Sequence, residues 1–262
     1  MKLLVKLGGT LLDHAGTRDR LTPQIASAVR EGHRVVVVHG GGKQMTRFLD
    51  ERGIESKFVN GLRVTSPETI DAVLKVFAGS VNHELVAALN RAGVPAVGLS
   101  GIDAGLVEAE QMDPELGAVG RVTRANPALL DLLTAAGYLP TVACVAGDRA
   151  GNIYNVNADQ MAVACAAGFG ADKLVFLTDV EGVLDGARQL RSVLTAAESE
   201  GLIREGAATG GMQAKLNAAT AALRHGVVEV RIAAGAAPAA LTRILSGEEL
   251  GTRLVLEEVT AS

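Results

Sequence analysis

At 262 residues and 48% hydrophobic content, the chain can bury one large α/β core or two lobes. A net charge of −4, from 25 Lys and Arg against 29 Asp and Glu with no basic block, argues against a nucleic-acid footprint, and 3% aromatic residues with no Trp argue against base-stacking platforms. No run approaches the ~20 apolar residues of a membrane span, the N-terminus opens directly on a strand, and Cys144 and Cys165 sit in small apolar surroundings; the expectation is a cytoplasmic chain with two buried thiols.

Helix and strand signals alternate almost throughout. The strand Lys2-Leu3-Leu4-Val5-Lys6-Leu7 runs into Gly8-Gly9. Leu21-Thr22-Pro23 opens a helix with Thr22 as cap and Pro23 at its first position, closed by Gly32. Arg34-Val35-Val36-Val37-Val38-His39 is a strand that runs into Gly40-Gly41-Gly42, and a helix follows over 43–52, stopped by Gly53. Asn60-Gly61 between 57–59 and 62–64 marks a tight hairpin. Ser66-Pro67-Glu68 starts a helix reaching about 77, and a second helix covers 82–91. A strand at 96–99, an irregular glycine-rich stretch at 100–105, a β-meander over 106–122, a helix over 127–136 and a strand over 138–143 come next.

After a turn at 148–151, Ile153-Tyr154-Asn155-Val156 leads to Asn157, which suits the cap of a helix over 158–167. Lys173-Leu174-Val175-Phe176-Leu177-Thr178 is a short, nearly all-apolar strand of the buried parallel type. A helix over 212–225 closes at Gly226, and strands over 228–233 and 253–256 flank a helix over 238–245. This alternation predicts an α/β fold, a three-layer αβα sandwich around a mainly parallel sheet, with ligands at the carboxyl ends of the strands. Any division falls between two lobes of one continuous sheet, 1–172 and 173–262.

The two glycine mouths carry the chemical signal. A glycine run at the end of a strand bares main-chain N–H groups to an anion, and two such mouths suggest two anionic groups brought together. Gly40-Gly41-Gly42-Lys43-Gln44 lacks the Ser/Thr and the earlier glycine of a P-loop, and no G-x-G-x-x-G follows a strand. There remains a triple glycine leading into a helix whose first amides favour an anion, or a tight turn whose glycines serve packing. Lys6 lies in a buried strand and needs a cleft and an anion to offset its desolvation. Lys215, in the first turn of the 212–225 helix, opposes the helix dipole unless phosphate is near. Read alone, each lysine is an ordinary solvated side chain. Asp159 either complements the dipole of its own helix or holds cations in position. His39 reads as a packed strand-end residue and His83 as a helix-surface or interface residue, and no spacing of His, Cys or carboxylates suggests a protein metal site.

Seven segments together resemble the amino acid kinase family, over essentially the whole chain: Lys6-Leu7-Gly8-Gly9, Val38-His39-Gly40-Gly41-Gly42-Lys43-Gln44, Asn60-Gly61-Leu62-Arg63-Val64-Thr65, Gly101-Ile102-Asp103-Ala104-Gly105, Tyr154-Asn155-Val156-Asn157-Ala158-Asp159, Leu177-Thr178-Asp179-Val180-Glu181-Gly182-Val183 and Gly211-Met212-Gln213-Ala214-Lys215. The Asn60–Thr65 and Asn155–Asp159 segments are most similar to members that phosphorylate N-acetyl-L-glutamate. The resemblance implies transfer of the γ-phosphoryl group of ATP, bound with Mg²⁺, to the side-chain carboxylate of N-acetyl-L-glutamate, a step of arginine biosynthesis. It implies catalytic roles for Lys6 and Lys215, oriented by Asp159. It implies acceptor binding by Gly41, Gly42, Arg63 and Asn155, and nucleotide binding by Gly8, Gly9, Asp179, Val180, Glu181, Gly182, Val183, Leu184, Ala207, Ala208 and Thr209. One departure is Gly210, where some relatives carry an acidic residue.

The chemistry of the residues agrees with that implication. A carboxylate acceptor is already ionised at neutral pH and needs no general base, so positioning and charge stabilisation carry the reaction. Because the chain starts at its first strand, without the extra N-terminal helix of arginine-inhibited hexameric relatives, the expectation is an arginine-insensitive homodimer joined through 67–91. The competing readings are a family member acting on a carrier-linked α-aminoadipate in lysine biosynthesis and a catalytically silent amino-acid-binding regulatory module. The Asn60–Thr65 segment argues against the first, and the presence of Lys6, Lys215 and Asp159 together argues against the second.

Overall fold

The computed structural model describes residues 1–13 and 15–257. β1 (Lys2–Leu7) and α1 (Gly9–Leu12) are followed by α2 (Ala15–Arg30), β2 (Arg34–His39) and α3 (Gly42–Asp50). The expected start of α2 at Pro23 is wrong: the helix begins at Ala15 and holds Pro23 in its interior. Its buried residues Leu21, Thr22, Ile25, Ala26 and Ala28 pack into the core, and that burial outweighs the intrinsic cost of an interior proline.

The hairpin β3 (Phe58–Val59) and β4 (Leu62–Arg63) turns at Asn60 and Gly61, both at positive φ as a two-residue primed turn requires. Ser66 caps α4 (Pro67–Val73) by accepting from the Thr69 amide at 3.2 Å. The two helices expected here are continuous: α4 passes through a π-helical stretch (Leu74–Val81) into α5 (Asn82–Arg91). Against the expectation of no span-length apolar segment, Pro67–Arg91 is long and apolar enough to cross a membrane by length and composition. Half of that window is buried in the protein, with Val73, Val76, Phe77, Leu85 and Leu89 in the core, so the segment reads as a core helix.

β5 (Ala96–Ser100) precedes β6 (Val107–Gln111) and β7 (Val119–Ala125), an antiparallel pair that differs from the expected meander. After α6 (Ala128–Ala135) and β8 (Leu139–Ala143), the short strands β9 (Val145–Gly147) and β10 (Ile153–Val156) join β6 and β7 in a small closed barrel. α7 (Ala158–Phe169), β11 (Lys173–Thr178), β12 (Val193–Thr195), α8 (Ala196–Arg204), α9 (Gly210–Arg224), β13 (Glu229–Ala234), α10 (Ala240–Leu245) and β14 (Thr252–Val255) follow within the described residues. β12 and α8 were not foreseen. Their signal was present in Thr195 and Glu198, which form a reciprocal capping box at 3.1 and 2.7 Å.

Among the described residues, eight strands form one sheet in the order β12-β14-β13-β11-β1-β2-β8-β5, parallel except where β13 meets β14. β1, β2 and β11 lie at its centre and are almost wholly apolar: Leu3, Leu4, Val5, Val36, Val37, Val38, Leu174, Val175, Phe176 and Leu177 are fully buried. Such strands fit a parallel sheet covered on both faces. α2, α5 and α10 pack together as one helical layer, and α6, α7, α8 and α9 as another. The carboxyl ends of β1, β2 and β11 therefore open side by side at the middle of one sheet edge.

Candidate active site

β1 and β2 pair in parallel from Lys2–Arg34 to Leu7–His39, so the glycines that follow them leave the sheet together. A Cβ built on Gly9 would stand 3.1 Å from the Gly42 amide nitrogen; the two glycine mouths abut. Gly8 cannot offer its N–H to a ligand, because that group donates to the Leu177 carbonyl at 2.9 Å. The Leu11 amide likewise donates to the Gly8 carbonyl and the Met45 amide to the Gly41 carbonyl, so the open donors are the Gly9 and Thr10 amides at the start of α1 and the Gly42, Lys43 and Gln44 amides at the start of α3, whose N-terminus has no side-chain cap.

Lys6, on the penultimate position of β1, reaches Asp159 Oδ1 at 2.6 Å, and Lys215 reaches Asp159 Oδ2 at 3.4 Å. The side chains are 8% exposed at Lys6, 9% at Asp159 and 18% at Lys215. Asn157 caps α7 and accepts from the Asp159 amide at 2.9 Å, which fixes Asp159 in the first turn facing β1. Burial opposes the ionised form of Asp159, but the Lys6 and Lys215 ammonium groups outweigh it and hold the carboxyl below the usual range. Two ammonium groups against one carboxylate leave net positive charge at the cavity wall. Lys215 is not in the first turn of its helix as expected; α9 starts at Gly210, and Lys215 falls in its second turn.

These groups line a cavity of about 450 Å³ that runs from Thr178 and Asp179 at the end of β11, past Lys6, Lys215 and both glycine mouths, to Arg63 and Asn155. Arg63 is buried; its guanidinium donates to Ser56 Oγ, to the Gly42 carbonyl at 3.2 Å and to Thr46 Oγ1 at 2.8 Å, and lies 4.6 Å from the Phe58 ring centroid. Asn155 donates to Thr65 Oγ1 at 3.1 Å. Cys144 also lines the cavity, yet burial pushes its thiol up to about 12, which removes it as a nucleophile near neutral pH. It and Cys165 are free and buried, as expected.

Of the expected nucleotide residues, Gly8, Gly9 and Asp179 line this cavity; Val180, Glu181, Gly182, Val183, Leu184, Ala207, Ala208 and Thr209 do not. Val183 and Ala208 are buried in the core, and a Cβ on Gly182 would meet Thr252 Oγ1 at 2.7 Å. Sequence reasoning overlooked Thr10, Lys43, Thr46, Phe58 and Thr178, which line the cavity as well. Thr178 and Lys43 lay inside the quoted motifs, whereas Thr46 enters only because α3 begins at Gly42 and brings its second turn over Arg63.

A mainly parallel αβα sheet whose carboxyl edge joins two abutting glycine mouths to a lysine-flanked carboxylate defines a class. The family model described as "Amino acid kinase family" matches residues 1–234, and the chain belongs to that family. Among its relatives, the acetylglutamate kinase of Solibacter usitatus (strain Ellin6076) is 76% identical over 255 residues, covering 97% of this chain and 99% of the relative. The acetylglutamate kinase of Geobacillus kaustophilus (strain HTA426) is 44% identical over 89% of this chain and 90% of its own. Among solved structures, N-acetylglutamate synthase from Neisseria gonorrhoeae complexed with coenzyme A and N-acetyl-glutamate superposes with a TM-score of 0.88 at 28% identity, covering 98% of this chain and 60% of that one.

Proposed function

We propose that the chain transfers the γ-phosphoryl group of ATP to the side-chain carboxylate of N-acetyl-L-glutamate, giving N-acetyl-L-glutamyl 5-phosphate and ADP. The observation that carries this reading is the Asp159 carboxylate held between Lys6 and Lys215 beside the junction of Gly9 and Gly42. It is supported by the acetylglutamate kinases of 76% and 44% identity that cover nearly the whole chain.

In this reading ATP enters as its Mg²⁺ complex, with its terminal phosphates on the Gly8-Gly9 side and its remaining contacts among Asp179–Leu184 and Ala207–Thr209. The acceptor lies on Gly41 and Gly42, with its α-carboxylate toward Arg63 and its acyl-amino group toward Asn155. An oxygen of the acceptor side chain attacks phosphorus in line, the bond to the β–γ bridging oxygen breaks, and ADP departs. Lys6 and Lys215 neutralise the charge that spreads over the transferring phosphoryl oxygens, while Asp159 fixes both ammonium groups and takes no proton. Residues 1–172 act as the acceptor lobe and 173–262 as the nucleotide lobe. A homodimer joined through 67–91, unaffected by arginine and acting in the cytoplasm, belongs to the same reading; light scattering that gives the mass of one chain removes the dimer.

A coupled ADP-release assay with N-acetyl-L-glutamate, glutamate, aspartate, carbamate and UMP, with hydroxylamine trapping of the acyl phosphate, tests the assignment. Turnover and hydroxamate are expected with N-acetyl-L-glutamate. Turnover with another acceptor and none with N-acetyl-L-glutamate would overturn it.

A further inference from the structure

Glycine has the greatest backbone freedom of any residue, so Gly40-Gly41-Gly42 presents its amides at a fixed angle only if neighbours hold it. Each of the three is held differently. The Gly42 carbonyl accepts from Arg63 Nη2 at 3.2 Å. Gly41 lies against the π-helical stretch, where an added Cβ would stand 2.9 Å from Phe77 Cδ1 and 3.2 Å from Val81 Cγ2. The Gly40 carbonyl is bonded by His39 Nδ1 at 2.8 Å.

His39 is fully buried and does not line the cavity. Its ring is oriented by the Asn82 side-chain amide, whose Nδ2 lies 2.9 Å from His39 Nε2 and 2.9 Å from the Thr141 carbonyl. Facing a carbonyl fixes the amide orientation, because a flipped Asn82 would set Oδ1 against that oxygen. Nδ2 therefore donates to Nε2, and the ring hydrogen sits on Nδ1, aimed at Gly40. Gly98 makes room for this amide: a Cβ there would collide with Asn82 Oδ1. Asn82 directly follows the π-helical stretch that carries Phe77 and Val81. A π-helical stretch rotates the downstream helix relative to an uninterrupted α-helix, so one feature sets Phe77 and Val81 on Gly41 and Asn82 on His39.

We propose that His39 and Asn82 are positioning residues for the acceptor: by holding the Gly40 carbonyl they set the direction of the Gly41 and Gly42 amides without touching substrate. The proposal rests on the reading of the second glycine mouth as the acceptor site. Its signature is a selective effect on acceptor binding, with the nucleotide side unmoved.

The test compares two isosteres of the two ring nitrogens. His39→Asn retains a donor at the Nδ1 position, toward Gly40, and His39→Gln retains an acceptor at the Nε2 position, toward Asn82. Steady-state kinetics should show the KM for N-acetyl-L-glutamate raised about tenfold in His39→Gln, the scale of one lost hydrogen bond, several-fold less in His39→Asn, and the KM for ATP within about twofold of wild type in both. Equal KM values for the two variants, or a rise in the KM for ATP matching that for the acceptor, would overturn the proposal. Asn82→Ala, with and without Gly98→Ala, covers the case in which the His39 variants fail to fold. The added methyl fills the vacated space but restores no hydrogen bond, so Tm should recover only in part in the double variant while the acceptor KM stays high; recovery of KM in step with Tm would reduce Asn82 to a packing role. Absence of wild-type turnover with N-acetyl-L-glutamate would overturn the function reading and this proposal with it, whereas wild-type turnover without the selective effect overturns the proposal alone.

Discussion

Asp159 carries two ammonium groups on one carboxylate, and the unequal distances divide the work. Lys6, at 2.6 Å and almost fully buried, is held closely; Lys215, at 3.4 Å and more open, has more room to move, which in the proposed reaction would let it follow the phosphoryl group. Both variants Lys6→Ala and Lys215→Ala should lower kcat by about 10²–10³, the usual loss when one group stabilising transition-state charge is removed, with smaller changes in KM. A steady-state series in which KM rises and kcat holds would remove them from the transition state. Arg63→Ala should act the other way and raise the acceptor KM chiefly, because Arg63 lines the end of the cavity proposed for the acceptor and ties Gly42 to Thr46.

His39 makes the stability of the fold depend on pH. Burial pushes its pKa down to about 4 from the ordinary 6.5, with the Gly40 hydrogen bond opposing the shift. The folded pKa is depressed, so the unfolded chain takes up the proton first as pH falls. The stability is fully present above about 6.5 and is lost between 6.5 and 4, by roughly 3 kcal/mol from ~1.4 kcal/mol per unit. Urea unfolding of wild type and His39→Asn at pH 7.5 and pH 4 should show the wild type losing more stability by about that amount. Equal losses would show that the imidazole is not the titrating group.

At the scale of elements, what could be read in advance divides by the range of the forces involved. The Asn60-Gly61 hairpin, the Ser66-Pro67 start of α4 and the Asn157 cap of α7 were legible because a turn or cap is decided by a few adjacent residues. The interior position of Pro23 was not, because it depends on burial of Leu21 and Ile25 against the sheet. Neither was the barrel of β6, β7, β9 and β10, whose parallel pairing of Asn155 with Val119 joins distant segments. The same division holds in the site: Lys6 and Lys215 stood out as lysines near glycine runs and Asp159 as a carboxylate in the polar Asn155–Gln160 junction, while Thr46 and Phe58 required the packing of α3 and the hairpin around Arg63. The Asn157 cap joins the two scales. Asn157→Ala should cost about 1 kcal/mol, lowering Tm by roughly 2–4 °C, and should also lower kcat, because Asp159 sits on the first turn that the cap fixes. A Tm loss with kcat unchanged would show that Asp159 is held by its lysines alone.

For the whole molecule, the decisive fact is that both halves of the site hang on one sheet. β11, which ends at Thr178, pairs with β1 along five residues, and β1 pairs with β2, which runs into Gly40-Gly41-Gly42, along six. Beyond their first residues the paired strands are buried, with Val5, Val37 and Val175 side by side in adjoining strands, so residues 1–172 and 173–262 share a core. Unfolding 173–262 would strip β1 of one of its two sheet neighbours, β11, and expose that shared apolar face. The expectation is a single cooperative transition in differential scanning calorimetry, with calorimetric and van't Hoff enthalpies equal. A nucleotide and N-acetyl-L-glutamate should each raise that one Tm, by about 5–10 °C at one hundred times Kd, since ~2.7 kcal/mol of binding linkage is delivered to the whole unit. Two transitions, one moved by nucleotide and the other by the acceptor, would show that the lobes fold independently and that the shared sheet does not couple them.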